Sequence, residues 1–321
     1  MSLRTIVALA ALAVLSPAAW AQGYPSKPVR VIVTFPPGGT PDIYGRVMSA
    51  ELQKIWNQSV VVENRTGAGG TIGTDYVAKA APDGYTLLFA ADATITIAPH
   101  LYSKLPYDPV RDLAPIVNVT AGPFVLMANP AFPPNNVKEL IALVQAQPGK
   151  VSYASSGAGG QQHLAMEYIR TMAGSMDMIH VPYKGFGQGI ADVLANQVPL
   201  IFGGITASIQ LTRSGKLKAL AVTGPKRAKA LPNVPAVAET LPGFDITAWY
   251  GFLAPAGTPR EIVKKIHDDS VAVIKRPDFL ERLDRDGIEP VGNTPEEFAA
   301  QIKTDLAHWA KIVKAAGAKL D

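Results

Sequence analysis

The chain has 321 residues, a formal net charge of +4 at pH 7 and no cysteine. The lack of cysteine excludes disulfide bonds, a thiolate nucleophile and cysteine metal ligands. The densest cluster of basic residues is Lys226, Arg227 and Lys229, which is shorter than the run of about five to eight residues typical of a nucleic-acid-binding patch. The mild positive charge would instead help to attract small anions.

The first 22 residues predict a secretory signal peptide. Arg4 supplies a positive start, residues 6–15 form an apolar run, and residues 19–21 (Ala-Trp-Ala) have the pattern of a cleavage site. The apolar run is shorter than the roughly 20 residues that span a bilayer. We therefore expect cleavage after Ala21 and a mature protein that works outside the cytoplasm, away from ATP, NAD and nucleic acid.

Short apolar runs rich in valine and isoleucine alternate with longer helical segments after this signal. Such runs are typical of strands that are covered on both faces. The predicted strands are residues 29–35, 60–62, 86–90, 125–128, 151–153, 179–181, 200–202 and 219–223. The alternation predicts an α/β fold with mostly parallel sheets and helices on both faces.

Three helix starts can be predicted from their first turns. Asn136 followed by Glu139 has the spacing of a capping box. Thr258 and Thr294 each precede a proline and are expected to be N-cap residues, with the proline at the first helical position. The helix after Thr294 carries apolar residues at three- and four-residue spacing, so one of its faces should be buried.

The chain has no exact internal repeat, but its two halves share one plan, in which a strand is followed by a glycine-rich turn and a helix. This plan predicts two lobes, formed by residues 23–124 with 247–321 and by residues 125–246. The chain would then cross twice between the lobes. The two glycine-rich turns would place two helix N-termini at one cleft.

The first glycine-rich turn, residues 35–42, reads Phe-Pro-Pro-Gly-Gly-Thr-Pro-Asp. Gly38 and Gly39 allow unusual backbone angles and leave the amides uncovered. Thr40 is expected to cap the following helix, with Pro41 at the first helical position. Uncovered amides at a helix N-terminus attract an anion. The alternative is a plain tight turn between a strand and a helix.

The second glycine-rich turn, residues 155–163, adds hydroxyl groups to the same plan. Ser155 and Ser156 followed by small residues predict a polar hollow that could hold a carboxylate. An exported hydrolase that uses either serine with His163 is the alternative, but the sequence has no Gly-x-Ser-x-Gly motif and no evident carboxylate partner. His163 and Glu167 share a helical face without a third ligand, so no metal site is expected.

A third glycine-rich segment does not predict a nucleotide site. Gly67, Gly69 and Gly73 give the spacing GxGxxxG, whereas the dinucleotide fingerprint is GxGxxG. A P-loop motif is also absent from the sequence. We therefore expect these glycines to shape a loop and Arg65 to have a structural or guiding role.

Many collinear motifs of the mature chain resemble a single family. They include YPSKPVRVIVTFPPGGTPD, VVVENRTGAGGTIG, LPYDPVRDLAPI, HVPYKG and WYGFLAPAGTP. The chain is similar over its mature length to the Bordetella-uptake-gene-type periplasmic solute-binding proteins, the receptors of tripartite tricarboxylate transporters. The resemblance implies a two-lobed periplasmic-binding-protein clamshell that needs no cofactor and has no enzymatic activity.

The resemblance also implies a function and a site. A monomeric receptor in the periplasm would capture a small carboxylate and deliver it to membrane permease subunits, or alternatively present it to a sensor protein. The ligand-binding residues implied are Phe35, Pro37, Gly38, Gly39, Thr40 and Asp42; Ala91, Asp92 and Thr94; Ser155, Ser156, Gly157 and His163; and Tyr183, Lys184, Phe186, Gly203 and Gly204.

Two positions depart from the pattern of the family. Pro41 stands where many members have threonine or serine, and Gly203 with Gly204 stand where a polar residue such as aspartate or asparagine is common. Fewer polar groups, with Phe35, Phe186 and Phe202 expected nearby, suit a ligand with an apolar middle. The sequence therefore favours a linear dicarboxylate or an aromatic acid.

Overall fold

The computed structural model describes residues 23–320, so the predicted signal peptide lies outside the described part of the chain. The strands are β1 (Val29–Val33), β2 (Val60–Asn64), β3 (Thr86–Ala91), β4 (Leu113–Ala128), β5 (Ser152–Ser155), β6 (Ile179–Pro182), β7 (Leu200–Gly204), β8 (Lys218–Val222), β9 (Thr247–Pro255) and β10 (Glu289–Pro290). The α-helices are α1 (Thr40–Trp56), α2 (Thr71–Ala78), α3 (Ala98–Leu101), α4 (Val137–Ala146), α5 (Gln161–Met172), α6 (Phe186–Leu194), α7 (Ile205–Arg213), α8 (Arg260–Ile274), α9 (Pro277–Asp286) and α10 (Pro295–Ala316). A π-helix (Ala93–Ile97) precedes α3.

The strands form one mixed sheet in the order β2-β1-β3-β9-β4-β7-β5-β6, with β8 and β10 also paired to β4. β1 is parallel to β2 and β3, and β5 is parallel to β6 and β7. β4 and β9 are antiparallel to each other and to their other neighbours. The predicted α/β fold is confirmed. The sheet has more antiparallel pairing than expected, because its central strands β4 and β9 run antiparallel to each other and to the strands beside them.

The long strand β4 belongs to two groups of strands. Its residues 113–123 pair with β9, whereas residues 124–128 pair with β7 and β8. We call β1, β2, β3, β9 and residues 113–123 the first sheet half, and β5, β6, β7, β8 and residues 124–128 the second sheet half. The sequence predicted only the end of β4 and missed β9. Pro115, Gly122 and Pro123 interrupt the apolar pattern of β4, because proline and glycine are usually signals of turns.

One threonine joins the two places where the chain passes between the sheet halves. The Thr223 backbone N–H donates to the Phe124 carbonyl at 2.9 Å, and the Ile246 N–H donates to the Thr223 carbonyl at 2.9 Å. The Thr223 hydroxyl accepts from the Phe124 N–H at 2.8 Å and donates to the Ile246 carbonyl at 2.6 Å. Thr223 is fully buried, so these bonds hold the two crossings side by side without competition from water.

Two of the four predicted helix caps are confirmed. The Asn136 side chain accepts from the Glu139 N–H at 2.9 Å, and the Thr294 hydroxyl accepts from the Glu297 N–H at 3.2 Å. The predicted cap at Thr258 is wrong. Its hydroxyl donates to the Pro255 carbonyl at 2.8 Å, so it is committed to the preceding turn and α8 begins one residue later than expected.

Helix α10 buries the apolar face that its spacing predicted, including Phe298, Ile302 and Trp309. The Phe298 ring meets Trp249 of β9 edge to face, with ring centres 4.8 Å apart. The helix therefore packs against β9, a central strand of the sheet. Among residues 23–320, no helix is both long and apolar enough to cross a membrane.

Candidate ligand-binding site

Five helices that come after parallel strands have a glycine as their N-cap residue, four of them directly and α2 after a short 3₁₀-helix (Ala68–Gly70). α1, α2, α5, α6 and α7 follow β1, β2, β5, β6 and β7, and none of their N-cap residues has a side chain that could accept from the first-turn amides. These N-cap residues are Gly39, Gly70, Gly160, Gly185 and Gly204. By contrast, side chains cap α4 and α10. A helix N-terminus without a side-chain cap presents amides and a partial positive charge to an external anion.

The carboxyl ends of the two sets of parallel strands meet between the sheet halves. Asp92, at the end of β3, accepts a hydrogen bond on Oδ2 from Gln161 Nε2, the first residue of α5, at 2.7 Å. A Cβ placed on Gly204 would lie 3.9 Å from the Thr40 hydroxyl oxygen of α1. In open α/β sheets, ligands bind outside the carboxyl ends of the strands. The structure therefore brings Thr40 next to Gly204 and Asp92 next to Gln161, each pair joining the two sheet halves.

The loop before α1 is held by Asp42. Its Oδ1 accepts from Arg46 Nε at 2.9 Å and from Asn64 Nδ2 at 2.8 Å, and its Oδ2 accepts from the Gly38 N–H at 3.0 Å. Burial alone would raise the pKa of Asp42, but the hydrogen bonds from these three groups outweigh it and the pKa is lowered. Both carboxylate oxygens of Asp42 thus accept hydrogen bonds from residues of the first sheet half, and Asp42 stabilises the loop before α1.

The tip of this loop is open to solvent. Pro37, Gly38 and Gly39 are exposed, and the carbonyl of half-buried Phe35 accepts from Asn64 Nδ2 at 3.0 Å. The predicted cap at Thr40 is wrong by one residue, because Gly39 is the N-cap and Thr40 is already helical. The Thr40 hydroxyl is consequently not used as a cap. Thr40 lines a small cavity together with Tyr250 of β9, and it opposes the rise that burial causes in the pKa of Tyr250.

The loop before α5 is held by a serine–histidine contact. Buried Ser155 has its hydroxyl 2.7 Å from His180 Nε2 and 3.0 Å from the Gly157 carbonyl oxygen. His163 Nδ1 accepts from the Gly159 N–H at 3.1 Å, and Ser156 Oγ is hydrogen-bonded to the side chain of Gln162. The pairing of either serine with His163 is therefore wrong, because the β6 residue His180 takes that place.

Stacked rings lie behind this loop. The ring centres of His163 and His180 are 4.0 Å apart, and the Tyr153 ring stacks with both, at 5.0 Å from His180 and 6.5 Å from His163. Glu167 Oε1 accepts from the Tyr153 hydroxyl at 2.5 Å and from Arg170 Nη1 at 2.6 Å. Glu167 is therefore occupied, and no described group of three or more histidine and acidic residues could hold a metal ion.

Four predicted site residues have mainly structural environments. Ala91 and Thr94 are buried, and the Thr94 hydroxyl donates to the Ala91 carbonyl at 3.1 Å. The Tyr183 hydroxyl donates to Asp192 at 2.6 Å, a bond that raises the pKa of Tyr183 to about 12. Lys184 is exposed next to it. Ala91 precedes Asp92 and pairs with Tyr250, so its backbone lies beside the Asp92–Gln161 contact, whereas no described contact places the side chains of Thr94, Tyr183 or Lys184 there.

The two glycines of β7 differ in their surroundings. A Cβ on Gly203 would come within 2.8 Å of the Phe186 ring and within 2.6 Å of Ser208 Oγ, so only glycine fits there. Gly204 instead borders a cavity of about 10 Å³ that is also lined by Thr40, Pro123 and Tyr250. This space corresponds to about one water molecule. No ligand larger than water fits this cavity.

Sequence reasoning missed Gln161, His180 and Tyr250 as members of the site. Gln161 lies in the second glycine-rich turn and His180 in the predicted strand 179–181, but the contact partner of each is distant in sequence. Tyr250 belongs to the overlooked strand β9. Its neighbours Trp249, Phe252 and Leu253 are buried and form a strand signal that could have identified it.

The family model described as the tripartite tricarboxylate transporter family receptor matches residues 44–318. The chain is similar to protein BugT of Bordetella pertussis (strain Tohama I), with 37% identity covering 94% of this chain and 92% of that protein. It is also similar to Rpa4515 of R. palustris with adipate, at 32% identity and a TM-score of 0.85, covering 92% of this chain and 100% of that one. MatC (Rpa3494) from Rhodopseudomonas palustris with bound malate gives 31% identity and a TM-score of 0.80, covering 90% and 100%.

Proposed function

Because the chain belongs to the tripartite tricarboxylate transporter receptor family, we propose that it captures a small organic carboxylate and delivers it to the membrane permease subunits of such a transporter. The observation that carries this proposal is the set of glycine-capped helix N-termini at the carboxyl ends of the parallel strands. Backbone amides and helix dipoles at these positions favour a carboxylate. The receptor would act in the periplasm as a monomer without catalytic activity.

Capture would take place between two lobes that move about the crossings. We propose that residues 23–124 with 247–321 form one lobe and residues 125–246 the other. This division is supported by the change of partner along β4 and by the Thr223 bonds that join the crossings. A ligand would favour closure through its better contacts with the closed state, and a difference of ~1–3 kcal/mol shifts the populations by roughly 5–150-fold.

The ligand is proposed to be a dicarboxylate or an aromatic acid. Adipate in Rpa4515 and malate in MatC are both dicarboxylates, which supports this class. Gly203 and Gly204 add no polar side chain, and the Phe186 ring packs against Gly203. An apolar middle section of the ligand would meet few polar groups at this position.

Calorimetric titration with a panel of mono-, di- and tricarboxylates tests the proposal. We expect heat of binding with at least one dicarboxylate or aromatic acid, and the panel should include adipate, malate, citrate and benzoate. If the folded protein gives no heat with any member, the proposed carboxylate capture is wrong.

Gly39→Asp is expected to weaken carboxylate binding by at least about tenfold while slightly raising the melting temperature. Gly39 has φ −78° and ψ 164°, which suit an aspartate N-cap. Its carboxylate would accept from the first amides of α1, which adds a few tenths of a kcal/mol of stability and repels an anionic ligand. Calorimetry and thermal melting measure the two effects.

Gly39→Ala is the matched control. A Cβ at this position makes only ordinary contacts, at 3.7 Å from Pro41 and 3.8 Å from the Pro36 carbonyl. The alanine variant should therefore bind like the wild type. Unchanged binding by Gly39→Asp would show that the N-terminus of α1 does not contact the ligand.

A further inference from the structure

Asp92 is a buried carboxyl group at the junction of the two sheet halves. Its exposed fraction is 1%, and Oδ2 accepts from Gln161 Nε2 of the opposite half at 2.7 Å. Oδ1 has no donor in good hydrogen-bond geometry among the described residues, and the neighbouring Ala93 amide, which helps to lower the pKa of the carboxyl group, does not meet that geometry. Buried polar atoms in native structures almost always have a partner, so an unpaired oxygen at this place needs an explanation.

The groups around Asp92 offer no compensating positive charge. Among residues 23–320, no lysine, arginine or histidine forms an ion pair with it; the charged group that acts on its pKa is the Asp305 carboxylate of α10, and Asp92 in turn acts on the pKa of Tyr250 of β9. Burial, and then the Asp305 carboxylate, raises the pKa of Asp92 well above its usual range, against the opposing effect of the Ala93 amide and Gln161. Burial and Asp92 together raise the pKa of Tyr250, which therefore stays a neutral hydroxyl.

Binding of an anionic ligand would bring a second negative charge close to the buried Asp92 carboxylate. An ionised ligand and an ionised Asp92 enclosed between the same sheet halves would repel each other with little water to screen them. A neutral Asp92 removes this repulsion. Since Oδ2 already accepts from Gln161, the carboxyl proton is best placed on Oδ1, where it becomes a hydrogen-bond donor.

We propose that Asp92 is a specificity-determining residue that takes up one proton when the cleft closes on a carboxylate and donates it in a hydrogen bond from Oδ1 to the ligand. The proton comes from solvent and converts the Asp92 carboxylate to the carboxylic acid, while no other bond forms or breaks. This proposal rests on the proposed function, because it concerns the same cleft. It makes the receptor select for ligands that present a hydrogen-bond acceptor at this point.

Calorimetry of the wild-type protein tests the proposal directly. Adipate and malate are titrated between about pH 6.5 and 8.5, where both are ionised, in buffers with low and high ionisation enthalpy. We expect the measured heat to depend on the buffer in the way that corresponds to uptake of about one proton per ligand at the upper pH. The affinity should fall by on the order of 10- to 100-fold across this range, because linkage allows up to about tenfold per pH unit.

Asp92→Asn is the informative variant, since asparagine is a neutral donor of the same shape. It should bind within about threefold of the wild type at low pH, show no proton uptake and lose the pH dependence, while Asp305→Asn should keep both. Wild-type binding without proton uptake overturns the inference even if Asp92→Asn does not fold. Uptake that persists in Asp92→Asn also overturns it and assigns the proton to another group, such as His163. If neither ligand nor any other member of the panel binds, the proposed function itself fails.

Discussion

Replacing Gly204 by leucine is expected to weaken carboxylate binding by about 100-fold, which corresponds to about 2.7 kcal/mol. The backbone angles of Gly204, φ −58° and ψ 143°, are available to any residue, so the variant should fold. A leucine side chain would project from β7 toward Thr40 into a cavity of about 10 Å³. It would occupy the ligand's position or hold the sheet halves apart. Titration with the carboxylate panel and thermal melting measure binding and folding separately.

Gly204→Ala provides the matched control for this prediction. A single Cβ has 3.9 Å of clearance to the Thr40 hydroxyl oxygen, which is an ordinary contact distance. The alanine variant should therefore keep its affinity within about threefold. Wild-type affinity in Gly204→Leu would mean that the ligand does not lie between Gly204 and Thr40.

Lowering the pH from 7 to 4 is expected to reduce the free energy of unfolding by on the order of 1–2 kcal/mol through His180 alone, with its partial exposure taken into account. Burial, and then the neighbouring His163, lowers the pKa of His180 to about 4. In the unfolded chain the pKa of histidine is about 6.5. Between these values the unfolded state binds a proton that the folded state does not. Stability from this group is therefore complete above pH 6.5 and is lost as the pH falls toward 4.

Urea unfolding of the wild type and of His180→Gln at pH 7, 5.5 and 4 measures this contribution. Glutamine can still reach the Ser155 hydroxyl but does not titrate. The variant should be less stable than the wild type at pH 7 and should lose less stability on acidification. Other acid-sensitive groups contribute equally to both curves, so the difference between the two proteins reports on His180. If both lose the same stability on acidification, His180 does not cause the loss.

The fold class and the two glycine-rich loops before α1 and α5 could be predicted from the sequence, because both depend on local patterns. Apolar runs with valine and isoleucine identified most strands, and the glycine-rich turns identified the starts of α1 and α5. β9 and most of β4 were missed. In β4, proline and glycine obscure the strand signal, whereas the buried apolar run of β9 was a usable signal that was overlooked.

The cross-chain contacts of the site could not be predicted from spacing. Asp92 and Gln161 are separated by 69 residues, and Ser155 and His180 by 25. The sequence offered His163 as the partner of Ser155 because it is closer along the chain. Parallel pairing of β5 with β6 instead brings His180 next to Tyr153, two residues from Ser155. Such partners follow from strand order, which is a property of the whole sheet.

The two chain crossings that Thr223 holds side by side have a consequence for engineering this receptor. Pro123 and Thr247 are paired residues of β4 and β9, so the chain leaves the first sheet half and returns to it at adjacent backbone positions. Residues 124–246 are therefore one uninterrupted stretch of sequence with neighbouring ends. Insertions of this geometry are tolerated well. A single gene cassette from a relative could replace this stretch, and the resulting chimera would combine one binding surface from each parent.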